Sequence, residues 1–338
     1  MNVHHFVKSV PRFRDLRHAP LHLLAPNVLA LLPAPLAYRV ACLRGDHRYR
    51  LDTPARDGIL LGLKAVLGEQ LSQAERAHVT RDYFRLRSCE AIDVALLAER
   101  GRTLARLVEI RGREYIEAAL AAGKGAILAG AHFGSFDCGF SLIGAQGFPV
   151  TVIGRWPTRF DRPIERFFFQ QLIQKPVEHS RRRPNIQPRG QLETAVQAAA
   201  ILRQNELIGI CLDAPVLLAD RRRAVSVDFL NGQALLLPGA ITIAQLTGAP
   251  VLMTFIHRSS DWRHQVLEIS PPISLDGDTP TALRRCLAVV EAAIRQYPAH
   301  WNFWYGLSDL VKLGLVSEEA AKVGEFVGGD WRSTWCEL

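Results

Sequence analysis

Between residues 126 and 270 the chain alternates apolar runs of strand length with stretches of helical character. That alternation constrains the fold more than any other feature. The runs are GAILAGAH, PVTVIGR, LIGICLD, AVSVDFL, PVLMTFIHR and RHQVLEIS. Helical spacing of apolar residues recurs around 192–202, 240–246 and 282–297, and upstream over 74–97. A further helix is expected to end in EAALAAGKG, where Gly123 and Gly125 stop it. Strands interleaved with helices predict an α/β sheet covered by helices. Only SSDW separates the last two runs, so they should form an antiparallel hairpin and the sheet should be mixed. No internal repeat and no Gly/Ser linker divides this core. The expected organisation is a helical, membrane-proximal N-terminal segment, basic and apolar (1–45), one catalytic-size domain (46–310) and a C-terminal tail (311–338).

Composition narrows the function classes. Hydrophobic residues are 48% of 338 and charged residues 22%, enough to build a core and to exclude global disorder. The formal charge of +8 admits nucleic acid, anionic lipid or an acidic protein as partner. Most of that charge is local. From Arg155 to Arg189 nine Lys and Arg face three acids, a net +6 in 35 residues, and Arg221, Arg222 and Arg223 form a second cluster. Guanidinium forks suit phosphate oxygens; the competing reading is a solvated basic loop that only aids solubility. Aromatics among the arginines (RWPTRFDRPIERFFF) fit a membrane interface or a single-stranded nucleic-acid platform. Residues 19–38 carry no Lys, Arg, Asp or Glu but are broken by Pro20, Pro26, Pro33 and Pro35. A clean spanning helix is not expected there. Two readings stand: an element that dips into a membrane behind Arg12, Arg14 and Arg17, or a segment packed on the protein's own core. No secretory signal is expected. Six scattered cysteines without a C-x-x-C pair point away from zinc and redox motifs and toward a reducing compartment.

The chemistry concentrates in GAILAGAHFGSFDCG. His132 follows an apolar strand, Gly134 lies in the turn, and Asp137 stands five positions after the histidine. An imidazole oriented by a carboxylate can deprotonate a hydroxyl. At the carboxyl end of a strand both side chains can face a crevice. The spacing itself is weak evidence, since about one H-x4-[DE] match is expected by chance. His47 and Asp52 supply a second match in a polar stretch. The alternative for Asp137 is a helix cap beside a core histidine.

AHFGSFDCG resembles the H-x4-[DE] block of the lipid A biosynthesis lauroyl/myristoyl acyltransferase family. LIGICLDAPVLLADRRRAVSVDFLNGQALLLPGAITIAQLTGAPVLMTFIHR is similar to that family's run of an Asp-ended strand, basic loop, Val-x-Phe strand, helix and TGAPV. The helical region before the histidine and the aromatic run QYPAHWNFWYGL also resemble it, and the likeness spans roughly residues 20 to 307. The resemblance implies the glycerolipid acyltransferase fold and acyl transfer from a thioester of acyl carrier protein or coenzyme A to a lipid or glycolipid hydroxyl. His132 would be the general base and Asp137 its orienting partner. Gly134, Arg155, Arg159, Asp213, Arg221 and Arg222 would bind substrate. Neither a metal nor a cofactor is implied. An anionic membrane surface is expected as partner, at the cytoplasmic face of a bacterial inner membrane, and nucleic acid is not.

Departures from the family pattern cluster on the expected acceptor side: Asp213-Ala214 for Asp-Gln, Phe229-Leu230-Asn231 for Phe-Phe-Gly, and Leu235-Leu236-Leu237 for a Thr-rich turn. Within the histidine block Phe136 replaces a usual Trp, and Asp137 a common Glu. They fit a paralogue with another acceptor. Two other classes remain open at this level: a thioester or ester hydrolase using the same dyad, and a non-enzymatic anionic-lipid binder.

Overall fold

A computed structural model describes residues 21–156, 163–188, 190–214, 222–305 and 307–317. Six strands form one mixed sheet: β1 (Val108–Arg111), β2 (Ala126–Gly130), β3 (Val150–Val152), β4 (Leu207–Cys211), β7 (Val251–Arg258) and β8 (Gln265–Pro272). Their spatial order is β1-β8-β7-β2-β4-β3. The pairs β7–β2, β2–β4 and β4–β3 are parallel, β7–β8 is the expected antiparallel hairpin, and β1 runs parallel to β8. Every residue of β2 and β7 is buried, which explains why both strands read as mainly apolar runs, with Thr254, His257 and Arg258 of β7 buried as polar exceptions.

Helices cover both faces, and alternate residues of β2 serve the two cores. Ile127 and Ala129 pack with α9 (Gln191–Arg203), α10 (Gly239–Thr247) and α11 (Thr279–Gln296). Ala126 and Leu128 face the core built with α2 (Ala34–Leu51), α4 (Gln73–Ala105) and α6 (Phe136–Ala145). The remaining helices are α1 (Leu21–Leu29), α3 (Thr53–Leu67), α5 (Arg113–Ala121), α7 (Pro163–Phe169), α8 (Lys175–Arg181) and α12 (Leu307–Leu313).

Two features depart from the sequence expectation, while the described part of the N-terminal segment is helical as expected. AVSVDFL becomes β5 (Val225–Phe229), but it pairs with β6 (Gly232–Leu236) in a separate antiparallel ribbon instead of joining the main sheet. The short strand β1, half exposed, lacks an apolar run that would have announced it. The apolar N-terminal stretch folds as α1, with Pro26 inside it, followed by α2, which begins after Pro33. The division placed between residues 45 and 46 falls within α2. Among the described residues no helix is long and apolar enough to cross a membrane.

Candidate active site

β2 and β4 are parallel neighbours with Gly130 opposite Cys211, so two residues further on His132 stands beside Asp213. The register alone brings together side chains 81 positions apart. Asp213 is fully buried and accepts four N–H contacts. His132 N–H points between its two oxygens at 3.0 Å each, His132 Nδ1 lies 2.8 Å from Oδ1, and Trp301 Nε1 donates to Oδ2 at 2.8 Å. The ring of His132 is further held between Phe136 and Phe303, each 4.9 Å away centroid to centroid. Its carbonyl accepts from Asn302 N–H at 2.9 Å. The carboxylate bonded to Nδ1 is thus Asp213, which the sequence reading placed among substrate-binding residues, and that contact is the one expected of Asp137.

Asp137 opens α6, half-buried. Burial raises its pKa, while Arg181 and His132 pull it back. Arg181 ends α8 and is fully buried, yet none of its three side-chain nitrogens has a hydrogen-bond partner among the described residues. Burial lowers its pKa, opposed by Asp137 and Glu178. Its guanidinium carbon lies 5.6 Å from the centroid of the Trp156 ring, and Trp156 Nε1 donates to Glu178 at 2.7 Å. A buried, unbonded guanidinium is costly to keep, and five donors beside a histidine block are suited to an anion.

The turn itself is pinned from behind. Gly134 has φ +54°, and a Cβ there would sit 2.2 Å from the Ile256 carbonyl oxygen, so no larger residue fits. Ser135 occupies the N-cap of α6 without capping it; its hydroxyl instead donates to Asp93 of α4 at 2.5 Å. Asp93, fully buried, also accepts from Tyr38 at 2.6 Å and from Arg258 of β7. One buried carboxylate therefore ties together α2, α4, β7 and the turn that carries His132.

A family model for bacterial lipid A biosynthesis acyltransferases matches residues 8–305. The chain belongs to that family. It is an acyltransferase of lipid A biosynthesis type. A comparison with curated proteins finds no significant match.

The other residues expected to bind substrate in this acyltransferase are spread out. Gly134 shapes the turn. Arg155 is exposed and donates to the Pro188 carbonyl at 2.7 Å; Arg222 is exposed; Arg159 and Arg221 lie outside the described residues. The basic run 181–183 is not one solvated loop: Arg181 is buried, Arg182 is exposed, and Arg183 pairs with Glu206. The aromatic run near the C-terminus packs inside the fold, with Trp301 and Trp304 fully buried and Phe303 nearly so. The competing match is structural: Asp52 caps α3 by accepting from Ala55 N–H at 3.2 Å, while His47 is exposed on α2.

Cys211 joins His132 and Asp213 in a group whose ligand atoms lie within 4.8 Å of one another. Such an N, S, O set could take a soft metal. The hydrogen bonds already described account for both Asp213 oxygens and for Nδ1, and a metal ion would have to displace them. Burial, with Asp213 and Asp137 nearby, pushes the Cys211 thiol well above its ordinary value. That environment disfavours the thiolate needed for either metal binding or nucleophilic attack.

Proposed function

We propose that this acyltransferase moves a fatty acyl chain from a thioester, on acyl carrier protein or coenzyme A, to a hydroxyl of a phosphorylated glycolipid resembling a lipid A precursor, with His132 as general base. The observation that carries this reading is the His132–Asp213 pair at the ends of two adjacent parallel strands. Asp213 accepts Nδ1–H, which fixes the tautomer, so Nε2 is the nitrogen that takes the hydroxyl proton. The alkoxide attacks the thioester carbonyl, and the negative charge moves to the carbonyl oxygen. Collapse expels a thiolate, a good leaving group, which recovers the proton from the imidazolium. Asp213 stabilises the imidazolium in between, and the Trp301 N–H holds Asp213 in place. Arg181 supplies the buried positive charge for the developing anion. Asp137 faces Arg181 and His132 together and sets the electrostatic balance between them. Cys211, kept as a neutral thiol, forms no acyl intermediate.

The membrane-facing surface in this reading is the outer side of α1, α2 and the turn between them. Val28, Leu31, Leu36 and Leu43 are all exposed there, Leu43 to 68%, with Arg39 exposed among them. Apolar side chains with interspersed arginine suit the boundary of an anionic bilayer, here its cytoplasmic leaflet. Product analysis tests the reaction: vesicles carrying a phosphorylated glycolipid acceptor are incubated with an acyl thioester, and lipids are resolved by mass spectrometry. Acylated acceptor is expected. Free fatty acid without acylated acceptor would replace transfer by hydrolysis.

A further inference from the structure

Helices α2 and α4 meet as a series of rungs, one per turn: Tyr38 with Asp93, Cys42 with Cys89, and Asp46 with Arg85. Gly45 permits the close approach, because a Cβ at that position would lie 2.5 Å from Arg85 Cα. At the middle rung the two sulfurs are 3.8 Å apart, already in contact. Cys42 is half-buried and reachable from solvent, whereas Cys89 is buried behind it. We propose that Cys42 and Cys89 form an oxidisable dithiol, which a peroxide converts into a disulfide joining α2 to α4.

The two thiols are differentiated for the two halves of that chemistry. The hydrogen bond from Cys89 lowers the pKa of Cys42, with help from Arg85 and Arg258, while that bond and burial raise Cys89. Cys42 is the attacking thiolate. Its sulfur bonds to one peroxide oxygen, the O–O bond breaks, and the expelled hydroxide takes up the thiol proton as water. Cys42 is then a sulfenic acid. Cys89 sulfur attacks it, the S–O bond breaks, and the leaving hydroxide takes the Cys89 proton as a second water. Two thiols are oxidised and one peroxide is reduced. Closing the contact to a disulfide at about 2.05 Å requires the two sulfurs to approach further from 3.8 Å. By contrast, burial pushes the Cys138 and Cys211 thiols well up and Cys286 to about 11.

The location gives the modification a consequence. Cys89 lies one helical turn from Asp93, which holds Ser135 of the catalytic turn, and α2 carries the exposed apolar side chains described above. A disulfide here would join the helix with that apolar surface covalently to the helix that anchors the turn.

The test uses the full chain, treated with stoichiometric hydrogen peroxide, alkylated and digested with trypsin without reduction. The expected product links the peptide 40–44 (VACLR) to 88–100 (SCEAIDVALLAER), removes two of the six thiols and reverts with dithiothreitol. In Cys89→Ser a sulfenic-acid trap such as dimedone should label Cys42. In Cys42→Ser it should leave Cys89 unlabelled, with circular dichroism confirming the fold of each. Prior oxidation of Cys138, Cys211 or Cys286, labelling of Cys89 in Cys42→Ser, or a cross-link only between chains would overturn the proposal. The readout is chemical, so its outcome is separate from that of the acyl-transfer assay.

Discussion

Asp213→Asn preserves the shape of the side chain and replaces one oxygen with an amide NH2, at a position where every neighbour is a donor. Oδ1 receives His132 N and Nδ1, at 3.0 and 2.8 Å; Oδ2 receives His132 N and Trp301 Nε1, also at 3.0 and 2.8 Å. If the NH2 faces the ring, Nδ1 must become the acceptor. The ring proton then sits on Nε2, which cannot accept a proton from the substrate. If it faces Trp301, a buried indole N–H loses its acceptor. Either orientation also removes the counter-charge of the imidazolium. Loss of a positioned general base costs roughly 10²–10⁴ in rate, about 3–5 kcal/mol of transition-state stabilisation. Initial rates of thiol release, measured against acceptor concentration, separate kcat from KM. A fall in kcat of about 10³ with KM little changed is expected. Asp137→Asn leaves the Nδ1 contact in place and should lose less in kcat. A kcat for Asp213→Asn within about threefold of wild type would refute the reasoning, and a larger loss in Asp137→Asn would return the orienting role to Asp137.

Arg181→Met removes a buried guanidinium without hydrogen bonds, so the melting temperature should hold or rise while transfer falls by roughly 10²-fold or more. A variant less stable and fully active would contradict both halves. Cys211→Ala should keep kcat within about threefold and yield no acyl-enzyme by intact-protein mass spectrometry; an acylated Cys211 in wild type would show a covalent route. Glu90 is buried, and desolvation lifts its carboxyl from the usual range up to about 7. The folded chain therefore keeps a proton that the unfolded chain loses, and stability from this group is lost as pH climbs from about 4.5 to 7, on the order of 3 kcal/mol. Melting temperature followed across that window should decline for wild type relative to Glu90→Gln; a constant difference would refute the assignment.

The fold was legible where hydrophobicity is two-sided. Strands β2, β4 and β7 announced themselves as apolar runs, and the short SSDW link fixed the antiparallel step. β1 was not, because a four-residue edge strand with exposed Glu109 and Arg111 carries no such run. His132 could be singled out by its strand and turn. Its partner could not be found by local spacing, because Asp213 is 81 residues away and only the pairing of β2 with β4 aligns them. The signal was nonetheless present, since both residues stand two positions beyond an apolar strand. Nothing in the aromatic run QYPAHWNFWYGL set Trp301 apart, and only the folded chain shows its buried indole donating to Asp213. Arg181 was hidden in a charge count that treated it as equivalent to Arg182, although one is buried and the other exposed. Burial of a single arginine in a basic run depends on how α8 docks on α6, where a Cβ on Gly144 would lie 2.6 Å from Arg181 Cα.

The proposed reaction rests on the histidine after β2 acting as the base for acyl transfer. Its most direct measurement is the single-turnover rate of acyl transfer to the glycolipid in His132→Ala, alongside His47→Ala and wild type. Loss of transfer is expected in His132→Ala, with an unchanged circular dichroism spectrum, and a wild-type rate in His47→Ala. Transfer by His132→Ala at the wild-type rate would contradict it.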